Sequence, residues 1–222
     1  MGEIKTRSKT GRKVATPAKA ASTEAAGLNS LLKRTALGGS GGTGTPKFVR
    51  SSGTTLEGLR SLPSKLNLVL FTPAVPPAGN YDDTRAEPRI DPFEPLGRAL
   101  SEHHKRIRHV PYVPNIGITQ THLAFLQCAG AVVVVVCDAS SDTAAQQHFC
   151  RSLSSVTTLH GSTEEPATNS TIPTLLVVVS EHPERSPEID PTLNFGYFDT
   201  VLQSVSYAAH DLGLVANCIF GS

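Results

Sequence analysis

The stretch AVVVVVC, residues 131–137, constrains the fold of this chain more than any other segment. Its five consecutive valines favour extended backbone, because side chains branched at Cβ pack well on a pleated surface. The stretch has no polar face, so a strand that it forms must be covered on both sides. We therefore predict that these residues form the central strand of a mostly parallel sheet with helices on both faces.

The neighbouring segments alternate between apolar runs and helical patterns. Further strands are predicted at residues 66–71, 107–112, 174–179 and 201–205. Helices are predicted between them, with N-caps at Asp91, Thr119 and Asp142, and a last helix with an apolar stripe ends at Gly221. This alternation is typical of βα units. The predicted fold class is α/β, a three-layer sandwich with a mostly parallel, flavodoxin-like sheet.

The first 50 residues differ in charge from the rest of the chain. They hold ten Lys or Arg residues against Glu3 and Glu24, a net charge of +8, whereas the remainder carries a net charge of −7. This segment is rich in Gly, Ser, Thr and Ala, so it has too few large apolar side chains to offset the entropy of ordering. We predict a disordered basic tail at residues 1–65 and a sandwich domain at residues 66–222.

No segment has the apolar core of a secretory signal. The longest apolar run, residues 129–137, is far shorter than the roughly 20 residues that span a bilayer. We therefore expect a soluble, cytoplasmic protein with no transmembrane segment. The four cysteines lack metal-ligand spacing, and no glycine-rich phosphate loop or GxSxG motif is present. The sequence predicts neither a metal site nor a cofactor.

Four stretches, in chain order, resemble the C-terminal sandwich domain of family 3 glycoside hydrolases, in particular the fungal enzymes similar to β-N-acetylglucosaminidases. They are NLVLFTPAVPP (67–77), DPFEPLGRALSEHHKRIRHVPY (91–112), GITQTHLAFLQCAGAVVVVVCDA (117–139) and SVSYAAHDLGLVANCIFG (204–221). The second and third carry the resemblance most specifically. The fourth lacks the prolines that usually start the last helix of the family. The resemblance covers about 155 residues and none of the basic tail.

The resemblance implies a carbohydrate-related domain without its catalytic centre. Family members place an Asp nucleophile and a His or Glu acid/base largely on a preceding (β/α)8 barrel, which takes about 250 residues. Retaining glycosidases hold two carboxyl groups about 5 Å apart, and the sequence offers no such pair to assign. We expect no catalytic residue and no independent glycosidase activity. The alternative is a free-standing carbohydrate- or protein-binding scaffold module that the basic tail tethers.

Ligands of open α/β sheets bind beyond the carboxyl ends of the strands. The residues predicted to lie there are Thr72, Tyr112, Asp138, Glu181 and His182. Asp138 directly follows the valine run, and His122 lies in the first turns of the Thr119 helix. Both have a structural alternative, in which Asp138 caps local backbone and His122 bonds to backbone or to a domain interface. The candidate ligand-binding residues are Asp138, His122, Tyr112 and His182, and a third hypothesis, a separate enzyme, would use Asp138 and His122.

Two basic features have ordinary explanations. The cluster HHKR at residues 103–106 with Arg108 and His109 is interpreted as a solvated helix end, since adjacent histidines on a helix point about 100° apart. The tail has no aromatic residue besides Phe48 to stack on bases, so nucleic-acid binding is not expected. The expected partners are a carbohydrate ligand and, through the face around the candidate residues, a barrel-containing protein or a second copy of the chain.

Overall fold

A computed structural model of the chain describes residues 45–75, 91–139, 142–160, 171–181 and 189–221. The strands are β1 (Lys47–Arg50), β2 (Asn67–Pro73), β3 (Ile107–Tyr112), β4 (Ala129–Cys137), β5 (Thr174–Val179) and β6 (Thr200–Ser204). The α-helices are α1 (Gly53–Arg60), α2 (Glu94–His103), α3 (Gln120–Gln127), α4 (Thr143–His160) and α5 (Ala209–Phe220), and a 3-10 helix spans Pro114–Ile116. None of these described helices is both long enough and apolar enough to cross a membrane.

The six strands form one sheet in the order β1-β6-β5-β4-β2-β3. Every neighbouring pair is parallel except β1 with β6, which is antiparallel. The valine-rich strand β4 lies between β5 and β2, and all its residues from Ala131 to Cys137 are buried. The predicted α/β class and the interior position of this strand are confirmed.

Successive residues of each strand pack into two separate apolar layers, because side chains alternate between the two faces of a sheet. Helices α1, α2 and α5 cover one face, where Leu70, Val133 and Val177 meet helix residues such as Leu96 and Val215. Helices α3 and α4 and the segment 189–198 cover the other face, around Phe71, Val134, Phe149 and Phe195. The result is the predicted three-layer sandwich.

The predicted boundary of the folded domain near Leu66 is wrong. Residues 47–60 form β1, which pairs with β6, and α1, whose N-cap Ser52 accepts a hydrogen bond from the Thr55 amide. The Arg50 guanidinium holds β1 in place by donating to the carbonyls of Phe195 and Phe198 at 3.0 and 2.7 Å. These contacts are non-local, so composition alone could not indicate them. The predicted disorder of residues 1–44 lies outside the described residues.

Helix α2 begins later than the sequence suggests. The predicted N-cap is Asp91, but the helix starts at Glu94 and its N-cap position is Phe93. The Asp91 side chain instead accepts a hydrogen bond from the Phe93 amide at 2.8 Å, which forms a turn just ahead of the helix. The predicted N-cap Thr119 is confirmed for α3.

Helices α1, α2 and α5 end close to one another beside the start of β2, at the amino edge of the sheet. Arg60 at the end of α1 donates to the Ile219 and Cys218 carbonyls of α5 at 2.8 and 3.3 Å. The His103 ring at the end of α2 stacks on Phe220 with centroids 4.7 Å apart. The Arg60 guanidinium complements the negative end of α5. In the part of the chain that the structure describes, no group of three or more His, Cys, Asp and Glu residues could hold a metal ion.

Candidate functional site

The helices that follow β2 and β4 cover opposite faces of the sheet, α2 on one face and α4 on the other. These two strands are neighbours, and their pairing ends at Phe71 and Val134. The point where adjacent strands part in this way is the usual ligand crevice of an open α/β sheet. Beyond this pairing, side chains bond to the Val135 carbonyl and to the amide and carbonyl of Cys137.

Side chains of the protein itself fill this crevice. The Tyr112 hydroxyl, reaching over from β3, donates to the Val135 carbonyl at 2.8 Å. The Gln146 side chain from α4 donates to the Cys137 carbonyl at 2.8 Å and accepts from the Cys137 amide at 2.9 Å. Tyr112, Gln146 and Cys137 are fully buried. The crevice is therefore closed by internal hydrogen bonds.

Tyr112 lies in the core rather than on an exposed ligand surface. Its hydroxyl donates a hydrogen bond to the backbone of β4, and burial holds the pKa of this phenol well above its usual value. Tyr112 was a candidate because it ends a predicted strand, and the structure confirms that position. The sequence did not indicate which face of the sheet the ring would occupy.

His122 takes the structural role that was the alternative to ligand binding. Its Nδ1 accepts a hydrogen bond from the Thr119 amide at 2.9 Å, while the Thr119 side chain caps the start of α3. Because Nδ1 accepts, Nε2 carries the proton in the neutral ring and donates to the Pro111 carbonyl at 3.4 Å. The ring is buried against Phe71 and Phe149.

Asp138 lies at the end of β4, as predicted, and two hydroxyl groups hold its carboxylate. Ser180 donates to Oδ2 at 2.8 Å, and Tyr207 donates to Oδ1 at 2.5 Å. The Tyr207 oxygen also accepts from the amides of Asp138 and Ala139, both at 3.1 Å. Burial raises the pKa of Tyr207 well above its usual value, and nearby Cys137 and the bond to Asp138 add to this shift. The phenol is therefore neutral.

Sequence reasoning missed Tyr207 and Ser180. Ser180 directly follows β5, and Tyr207 lies in the turn between β6 and α5. The position of Ser180 after an aliphatic strand was a usable signal. Glu181, a predicted edge residue, is exposed and accepts a long bond of 3.5 Å from the Tyr207 amide. His182 lies outside the described residues.

A second polar cluster lies at the end of β2. His109 Nε2 is 2.7 Å from the Thr72 hydroxyl and 3.5 Å from Asp91 Oδ2. Both partners meet the same ring nitrogen, whereas a nucleophile-His-Asp relay needs one partner on each nitrogen. Thr72 is also fully buried. Burial lowers the pKa of His109, and Asp91 and Glu94 oppose this shift. The cluster is a link between β2, β3 and the start of α2.

The sequence-predicted residues do not meet at one site. Asp138 and Glu181 come together around Tyr207, whereas Tyr112 and His122 both contact Phe149 on the other side of the sheet. The arrangement offers one surface cluster of carboxylates and hydroxyls, and one buried aromatic group.

No protein-family model matches the chain, and a comparison with curated proteins gives no match. Solved structures do match it. A fungal multi-domain family 3 β-N-acetylglucosaminidase, described with a glucosamine N-acetyltransferase region, has a TM-score of 0.50 at 15% identity over 79% of this chain and 16% of that one. A family 3 β-N-acetylglucosaminidase from Paenibacillus sp. gives a TM-score of 0.47 at 14% identity, over 96% and 34% of the two chains.

A β-glucosidase from Listeria innocua in complex with isofagomine gives a TM-score of 0.47 at 12% identity, over 79% of this chain and 24% of that one. This chain therefore spans between 16% and 34% of the length of the solved structures named here. The first of these similarities places the chain in the same fold as part of a family 3 glycoside hydrolase, as the resemblance of its four stretches implied.

Proposed function

We propose that this chain is a non-catalytic module of the family 3 glycoside hydrolase type, active in carbohydrate metabolism in the cytoplasm through a partner that carries a catalytic barrel. The observation that carries the proposal is the closed crevice between β2 and β4. Tyr112 and Gln146 occupy the place where an open α/β sheet usually binds its ligand.

The carboxylates at this edge support the same conclusion. A retaining glycosidase needs two carboxyl groups about 5 Å apart that both reach the scissile bond. Both oxygens of Asp138 accept bonds from protein hydroxyls. The Asp91 carboxylate accepts a hydrogen bond from the Phe93 amide and lies beside His109. Each of these carboxylates has a structural task.

An apolar turn beside the same edge supports docking. Val113 and Ile116 are 46% and 66% exposed, one just before the 3-10 helix that follows β3 and the other at its end. The Asn115 side chain fixes this turn by donating to Asp142 at 2.6 Å. An exposed apolar patch marks a partner site when it is contiguous, and these two side chains lie on the same turn. We assign this turn to contact with a barrel domain.

The catalytic part of the proposal is tested by assaying the purified full chain with aryl β-N-acetylglucosaminides and aryl β-glucosides. We expect no turnover above the buffer rate. Asp138→Asn is the matched variant. Turnover by the wild-type chain that this variant removes would overturn the proposal in favour of an enzyme that uses Asp138.

The docking part is tested by sedimentation of the full chain with a separately expressed family 3 barrel domain. We expect a complex that Ile116→Asp weakens about tenfold or more, since burying an unpaired charge is costly. Leu193→Asp is the control, because Leu193 is 77% exposed in a different segment. A wild-type chain that stays monomeric and binds no barrel domain would remove this part of the proposal.

A further inference from the structure

We propose that Tyr207 occupies a binding site for a ligand hydroxyl of the carbohydrate class, and that its side chain keeps this site shut. The site lies at the carboxyl ends of β4 and β5 and is built from Asp138, Ala139 and Val179. It deepens the proposed function by naming a ligand class, and it is separate from the turn assigned to docking.

Four protein groups converge on the single phenol oxygen of Tyr207. The amides of Asp138 and Ala139 donate to it, each at 3.1 Å. Its single proton goes to Oδ1 of Asp138 at 2.5 Å, and the carbonyl oxygen of Val179, which also accepts from the Asp138 amide, lies 3.2 Å away. Two donors and one acceptor complete the hydrogen-bonding shell of a hydroxyl group, which has two lone pairs and one proton.

The chemistry of this shell selects its occupant. Two amides pointing at one position disfavour a cation, and the Asp138 carboxylate disfavours a phosphate, sulfate or carboxylate. The remaining group is neutral and both donates and accepts, which describes a hydroxyl. The phenol of Tyr207 meets this description, and so does each hydroxyl of a sugar or polyol.

The ring of Tyr207 covers a second element of the site. It packs against Phe93 with ring centroids 6.0 Å apart and planes inclined by 56°. Phe93 is fully buried in this state. Without the Tyr207 ring, an aromatic face would lie beside the hydroxyl shell. Small-molecule sites combine such apolar walls with a few placed polar groups, and a sugar ring offers a C–H surface and hydroxyls together.

Tyr207 is placed so that its side chain can be removed without removing a helix or a strand. It lies in the turn between β6 and α5, which Ser206 stabilises by accepting from the Ala208 amide at 3.0 Å. The side chain is only partly buried. The shell itself belongs to the ends of β4 and β5, which the sheet holds independently.

The test uses ¹⁵N-labelled full chain and follows the amide signals of Asp138 and Ala139. Tyr207→Ala is titrated with N-acetylglucosamine, with glycerol and with inorganic phosphate. We expect saturable shifts with the two hydroxyl probes, weaker by about tenfold or more in the wild type, and none with phosphate. Adding Asp138→Asn to Tyr207→Ala should lower the affinity by about tenfold. Tyr207→Phe keeps the ring in place and should bind no better than the wild type.

The proposal would be overturned if Tyr207→Ala folds but the Asp138 and Ala139 amide signals do not shift with either hydroxyl probe. Tyr207 would then be purely structural. Equal affinity in the wild type would overturn the idea that Tyr207 shuts the site. If Tyr207→Ala does not fold, Tyr207→Leu keeps an apolar contact with Phe93 and empties only the hydroxyl position, so glycerol is then the deciding probe. These results do not depend on turnover or barrel binding, so the two proposals fail separately.

Discussion

Tyr112 and Phe149 stack face to face, with ring centroids 3.8 Å apart and planes inclined by only 4°. The pair joins the edge strand β3 to α4 across the layer that contains Phe71 and Val134. Stacking fixes the direction of the Tyr112 ring, and therefore fixes its hydroxyl on the Val135 carbonyl. The closure of the crevice thus depends on an aromatic contact as well as on hydrogen bonds.

Tyr112→Phe should lower the free energy of unfolding by about 1–3 kcal/mol, because it leaves the buried Val135 carbonyl without a donor. Urea denaturation monitored by circular dichroism measures the change. Tyr197→Phe is the control, since the Tyr197 hydroxyl donates to Gln147 at 3.2 Å in a partly buried position and should cost less. Equal losses in the two variants would contradict the importance of the crevice bond.

Gln146→Leu should cost about 2–4 kcal/mol, because two backbone groups of Cys137 lose their partner in a fully buried place. The same denaturation experiment applies. His148→Leu, at an exposed position of the same helix, should change stability by about 0.5 kcal/mol or less. A loss for Gln146→Leu as small as this control would show that water replaces the side chain without penalty.

Substituting alanine at two helical glycines should change the stability of the chain in opposite directions. A Cβ at Gly213 in α5 meets nothing within 4 Å, so Gly213→Ala should stabilise the chain by about 0.5–1 kcal/mol through helix propensity. A Cβ at Gly58 in α1 would lie 2.6 Å from Pro173 Cγ, so Gly58→Ala should destabilise by about 1–3 kcal/mol. Thermal unfolding gives both signs, and a stabilised Gly58→Ala would mean that α1 is not packed there.

The link between His109, Thr72 and Asp91 should make stability depend on pH. Burial lowers the pKa of His109 below its usual value near 6.5, so the unfolded chain binds the proton more readily. The stabilising effect of the neutral ring is complete above about pH 6.5 and is lost as the pH falls through the lower pKa of the folded state.

His109→Gln isolates this effect, because an amide can still bond to Thr72 but does not titrate near neutral pH. The difference in unfolding free energy between the wild type and this variant should shrink as the pH falls below about 6.5. Taking the difference cancels the other titrating groups. Curves that stay parallel from pH 7 to about pH 5 would exclude a linked proton at His109.

The interior strands were predictable, and the first strand was not. The valine run and residues 174–179 are aliphatic on both faces, so their sequence indicates burial without reference to any partner. Strand β1 has only Phe48 and Val49 as apolar residues, and its neighbourhood is fixed by contacts such as Ser52 to Thr200, 148 residues apart. Helix α1 had a local signal in Ser52 and the spacing of Leu56, Leu59 and Leu62.

The candidate site was predictable in position but not in contacts. Asp138 follows a buried strand, so its place at the carboxyl edge follows from the sequence. Its partner Tyr207 is 69 residues away and reaches it through an irregular turn that no periodicity describes. For Tyr112 and His122, the sequence identified the element but not the buried aromatic neighbour, because that depends on how α4 crosses the sheet.

The two hydrogen bonds between the Gln146 side chain and the Cys137 backbone have a kinetic consequence for β4. Amide protons exchange with solvent deuterium only when their hydrogen bonds open, and the slowest report the openings that require the most unfolding. The Cys137 amide lies beyond the pairing with β2, where an ordinary strand end frays, yet a buried side chain from α4 holds it. Its exchange therefore requires α4 to leave the sheet. The tip of β4 should exchange with deuterium together with the middle of the helix, so the two elements open as one unit.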